Sequence, residues 1–141
     1  MNIGWLIFIP LILIFFSGCS SSGKKLDIQN SGEYEMQFYH DGSLIELWTD
    51  FDVEFVESIT MVYQVSFYQG GELVARVSCD PFDADEKRMQ RYVETNGLVK
   101  VSYLGQMQCD VELPEGETLV SVHFEAQADT YKIFRADLIF K

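Results

Sequence analysis

Of the two histidines in the chain, His123 has the neighbours that chemistry would want, with Ser121 and Glu125 two residues to either side. Those three types are a nucleophile, a base and an acid. Val120, Val122 and Phe124 alternate with Ser121, His123 and Glu125, which puts the three polar residues on one face of a strand. Residues two apart on a flat strand are separated by roughly 6.5–7 Å at the backbone. A nucleophile and its base need about 2.6–3.2 Å between heavy atoms. A solvated strand face is therefore expected, not a triad. His40 abuts Asp41-Gly42 and is expected at a hairpin end. Asp80, Asp83, Asp85 and Glu86 could offer oxygen ligands to calcium, but without EF-hand spacing, and Asp83 and Glu86 also read as the start of a helix. No GxSxG, HExxH, glycine-rich phosphate loop or CxxC occurs. Neither an enzymatic activity nor a cofactor is expected.

A binding surface is the other kind of chemistry on offer. Trp48-Thr49-Asp50-Phe51-Asp52 sets aromatics beside carboxylates near a strand end. Such a patch can stack a sugar or anchor a protein, although core packing is the commoner fate of Trp and Phe. Tyr39 and Tyr68 fall on the polar faces of their strands. An exposed Tyr suits an interface because it loses little entropy on binding. Tyr39, Trp48, Asp50, Phe51, Asp52 and Tyr68 are thus the candidate patch.

Composition narrows the partners. The 141 residues carry 22 Asp and Glu against 10 Lys and Arg, a formal charge of −12. Phosphate binding needs a dense basic surface, so nucleic acid is not an expected partner. Apolar residues reach 48%, too many for a disordered chain, and the length suits one domain.

Residues 3–16 are uncharged and apolar, and the last of them opens Phe16-Ser17-Gly18-Cys19, with Ser20-Ser21-Ser22 after it. Fourteen residues fall short of the roughly 20 that span a bilayer and fit the hydrophobic region of a signal peptide. An apolar residue, two small residues and a Cys resemble the lipobox of bacterial lipoproteins; an uncleaved membrane anchor is the alternative reading. The resemblance covers the N-terminal segment alone. It implies removal of residues 1–18, acyl chains on Cys19 that hold the protein to a membrane, and a flexible tether over 19–32. Ser20 in place of Asp after the Cys implies the outer membrane, with the domain facing the periplasm.

Cys79 and Cys109 remain. An even pair in an exported protein reads as a disulfide. Leu73, Ala75, Val77 and Cys79 share an apolar face by period two, as do Met107, Cys109, Val111 and Leu113. Two buried free thiols are the alternative.

The elements that must position these residues are strands from residue 33 onward. Asp41-Gly42 and Gly70-Gly71 are two-residue hairpin signals, Gly105 and Leu113–Gly116 read as turns, and Phe134, Ala136, Leu138 and Phe140 face inward in the last strand. Asp83 with Glu86 three residues on, then Met89, Tyr92 and Val93 at helical spacing, predicts one short helix over 83–94. Eight or nine strands joined by short links indicate an all-β, antiparallel sandwich over 33–141, immunoglobulin-like or transthyretin-like. The expected function is that of a lipid-anchored accessory subunit that binds an envelope protein; the alternative is a small-ligand or glycan-binding module.

Overall fold

The structure, a computed structural model, describes residues 23–93 and 96–141, with backbone only at 86–89 and 92. Residues 1–18, and Cys19 with them, lie outside the described residues.

Long alternation of apolar and polar residues builds strands because one face of each must leave water. There are eleven among the described residues, and no helix: β1 (Lys24–Leu26), β2 (Gly32–His40), β3 (Leu44–Ile45), β4 (Leu47–Val56), β5 (Thr60–Gln69), β6 (Glu72–Cys79), β7 (Ala84–Val93), β8 (Leu98–Met107), β9 (Val111–Glu112), β10 (Gly116–Gln127) and β11 (Tyr131–Phe140). Two antiparallel sheets pack as a sandwich. Sheet A has the order β1-β11-β4-β8-β7 and sheet B the order β2-β10-β5-β6, while β3 and β9 form a two-stranded ribbon.

The core lies between the inner faces. Val65, Phe67, Val120, Val122 and Phe124 of sheet B meet Phe51, Val53, Ala136 and Leu138 of sheet A, all wholly buried. Polar contacts also cross this apolar layer. The Tyr63 hydroxyl of β5 donates to the Ala136 carbonyl of β11 at 2.9 Å and lies 3.0 Å from Thr49 Oγ1 of β4. A phenol has one proton, so the Thr49 hydroxyl donates back. Burial pushes the Tyr63 phenol far above its ordinary range.

Several sequence expectations are corrected. The helix expected over 83–94 is absent among the described residues of that range; Ala84–Val93 is β7, paired with β8 from Ala84↔Met107 to Val93↔Val99. The pairing shifts by one residue between Glu86 and Arg88. Met89, Tyr92 and Val93 all follow that bulge in regular pairing, so their helix-like spacing falls on both faces of one strand. The N–H and C=O groups along β8 need a partner, and that demand outweighs a local preference for helix. The charges of the segment suit its place at the rim of sheet A, where they discourage further pairing.

Asp41-Gly42 makes no hairpin either. Gly42 has φ +88°, but Asp41 is not at positive φ, so a type I′ pair does not form. Asp41 Oδ1 instead accepts from the Ser43 amide at 3.0 Å and from Ser43 Oγ at 2.5 Å, bonds that hold its carboxyl below the usual range. The chain then leaves sheet B for β3 and β4. At Gly70-Gly71 both residues have positive φ, 58° and 80°, and the expected hairpin joins β5 to β6.

Two further bulges move side chains outward. The pairing shifts between Phe67 and Tyr68, which leaves Leu73 exposed instead of inward, and between Ile133 and Arg135, which does the same to Phe134. Gly105 lies inside β8, not in a turn; the Tyr103 hydroxyl and the Asp85 carbonyl occupy the space a Cβ would need. The expected tether is partly built in. From Lys24 it pairs with β11, and Ile28 is wholly buried beside Asp137, whose Oδ1 accepts the Ile28 amide at 3.1 Å.

Cys79 and Cys109 are joined by a disulfide, with Cα atoms 5.7 Å apart. It fastens the end of β6 in sheet B to the segment that follows β8 in sheet A.

Candidate functional site

Register explains what collects on the outer face of sheet B. Strand β10 runs between β2 and β5, pairing His123 with Glu33 on one side and Gln64 on the other, and Ser121 with Glu35 and Ser66. Residues paired directly across a sheet share a face, so polar residues far apart in sequence meet there. His123 Nδ1 lies 2.6 Å from Glu33 Oε1, and His123 Nε2 lies 3.9 Å from Glu125 Oε2. Among the described residues no hydrogen bond joins Ser121 to His123. The histidine is held by an acid on the neighbouring strand, not organised as a base for the serine. Arg76 of β6 donates from Nε to Ser66 Oγ at 3.1 Å.

Two shallow hollows share this face, and Tyr68 lines both. The first, about 780 Å³, runs along Glu33, Gln64, Ser66, Arg76, Ser121 and His123. The second, about 490 Å³, is bounded by Glu35, Gln37, Gly70, Glu117 and Leu119. Together they make a polar trough across the sheet, with one aromatic ring near its middle.

The sequence-derived patch is divided by the fold. Phe51 is wholly buried, with its ring centroid 5.3 Å from Tyr103 and 5.1 Å from Phe82. Trp48, Asp50 and Asp52 belong to the opposite face of β4 by alternation. Trp48 is itself nearly buried, donates from Nε1 to Glu46 at 3.1 Å, and carries Lys141 Nζ 4.0 Å above its ring. Asp50 Oδ1 is paired with Arg135 Nη2 at 3.1 Å. Tyr39 and Tyr68 are on sheet B, apart from all of these. Tyr39 is exposed and its hydroxyl donates to the Glu115 carboxylate, which raises the phenol above its ordinary range.

His40 ends β2 but is buried, not a solvated hairpin end; among the described residues its Nε2 has no hydrogen-bond partner. The acidic group is dispersed too. Asp80 Oδ1 accepts the Phe82 amide at 2.9 Å, Asp83 and Asp85 are exposed, and the side chain of Glu86 lies outside the described residues. Among the described residues no three of His, Cys, Asp and Glu are arranged to hold a metal ion.

Glu33, Glu35, Gln64, Arg76 and Glu117 escaped the sequence reading. Alternation places each on a polar face, but only strand order shows that β2, β10, β5 and β6 present one continuous surface. No protein-family model matches the chain, and neither does any curated protein.

Proposed function

We propose that the protein is a lipid-anchored, non-enzymatic module of the bacterial cell envelope that binds another envelope protein through the outer face of sheet B. The address comes from the lipobox-like Phe16–Cys19 segment, with acyl chains on Cys19 and the domain facing the periplasm from the outer membrane. The observation that carries the binding reading is the trough itself, with Tyr68 lining both of its hollows and the exposed Tyr39 at the edge of the same sheet. Tyr gives large contact area for little lost entropy, and is enriched at protein interfaces. In this reading the body is an immunoglobulin-like or transthyretin-like sandwich, a reading supported by its two antiparallel sheets and the crossings between them.

A photo-crosslinking residue placed at Gln37 or Gln64 of the native, membrane-held protein tests the reading. Both positions are expected to give one defined protein adduct, and Glu54, on the outer face of sheet A, none. Adducts at Glu54 alone, or at none of the three, would overturn it. The second reading, a glycan-binding module, draws on the neutral side chains Gln64, Ser66, Ser78 and Ser121 around the first hollow. Retention on peptidoglycan with no protein adduct would favour it.

A further inference from the structure

We infer that the trough on sheet B receives an extended basic segment of the partner protein, with a Lys or Arg side chain seated in the hollow between Glu35, Glu117 and Tyr68. The inference rests on the proposed protein-binding face and adds the chemistry of what that face holds.

Charge is sorted between the two sheets. Among the described residues, the strands of sheet B carry one Lys or Arg, Arg76, against Glu33, Glu35, Glu72, Glu117 and Glu125. The strands of sheet A carry eight Lys and Arg against six acids. In a chain of net −12, a sheet with five acids and the single cation Arg76 among its described strand residues presents a field that draws positive partners and repels acidic peptides, nucleic acid and anionic lipid.

The two hollows differ in how far their charges are already answered. In the first, Glu33 is bonded to His123, and Arg76, bonded to the neutral Ser66 hydroxyl, already places a positive charge. What remains is largely hydrogen-bonding: Gln64, Ser66, Ser78 and Ser121. In the second, Glu35 and Glu117 stand with Gln37, Leu119 and Tyr68, with no cationic side chain in the lining. A guanidinium or ammonium placed there has two carboxylates and an aromatic side chain in the lining around it, groups that favour a cation. The backbone of the same segment would continue over the serines and Gln64, whose amides and hydroxyls both donate and accept. Tyr68, common to both hollows, sets the register between them.

The test uses the full chain in detergent and two fluorescein-labelled decapeptides of Ser and Gly, one with three Arg and the other with citrulline at the same positions. Fluorescence anisotropy is expected to show the Arg peptide binding at least about tenfold more tightly. Glu35→Gln with Glu117→Gln should erase that difference, and Tyr68→Leu should weaken the Arg peptide about threefold or more. Asp83→Asn with Glu112→Gln removes two exposed acids elsewhere and should leave the affinity unchanged. Thermal melts of all variants, expected unchanged, separate lost binding from lost fold. Equal affinity for the two peptides, or equal loss in both double variants, would overturn the inference. Should the crosslinked adducts at Gln37 and Gln64 appear while the peptides are not distinguished, the binding face stands and its basic occupant falls.

Discussion

Reducing the Cys79–Cys109 bond, or replacing both residues with alanine, is expected to lower the free energy of unfolding by about 3–4 kcal/mol. The two residues are 30 apart in sequence, so the bond removes a loop of moderate size from the unfolded ensemble. It also ties sheet B to sheet A at one end of the sandwich, where Cys79 is buried under the core. For a domain of this size the loss corresponds to a fall of roughly 10–20 °C in Tm. Calorimetry with and without reductant measures it. A shift of less than about 1 kcal/mol would mean that packing of the two inner faces holds the sheets together without help from the bond.

Phe51→Ala is expected to cost about 3–5 kcal/mol, because a wholly buried ring leaves a cavity that its neighbours only partly fill. Phe51 stacks on Tyr103 and meets Phe82 edge-on, and both contacts disappear with the ring. Urea unfolding monitored by circular dichroism gives the value. A loss under about 1 kcal/mol would contradict its burial and return Phe51 to the surface patch that sequence proximity to Trp48 and Asp52 suggests. The contrast shows why a run of neighbouring residues is a poor guide to a site on a strand. Alternation sends Phe51 inward and its flanking acids outward, so five consecutive residues supply two faces.

What was legible in the sequence was what depends on local period. Strands β5 and β10 are each ten residues or longer with clean alternation, and their inward residues are those that periodicity indicates. Gly70-Gly71 is a tight hairpin because both positions take the positive φ that glycine alone adopts freely. Two bulges defeated the same logic. Each adds one residue, reverses the faces beyond it, and so misplaced Leu73 and Phe134. Asp41-Gly42 failed for another reason. Asp41 spends its carboxylate on Ser43 and the chain changes sheets, an outcome set by what β3 can pair with, namely β9.

The candidate site was illegible for a deeper reason. Glu33 and His123 are 90 residues apart, and Tyr68 meets Leu119 only because β10 lies between β2 and β5. His123 was visible as part of a polar strand face, but its acid partner Glu33 stands on the adjoining strand, where spacing along β10 gives no sign of it. The charge sorting between sheets is likewise invisible in a net of −12, since it depends on which strands share a sheet.

Binding of an envelope partner, as proposed, requires the domain to stand outside the cytoplasm, held at Cys19. Intact mass of the native protein from membrane fractions, beside a Cys19→Ala variant, tests that claim most directly. The account predicts a chain beginning at Cys19 with acyl mass added, and a variant that keeps neither the cleavage nor the modification. A native chain that retains residues 1–18 and carries no acyl groups would contradict it, and the envelope partner would fall with it.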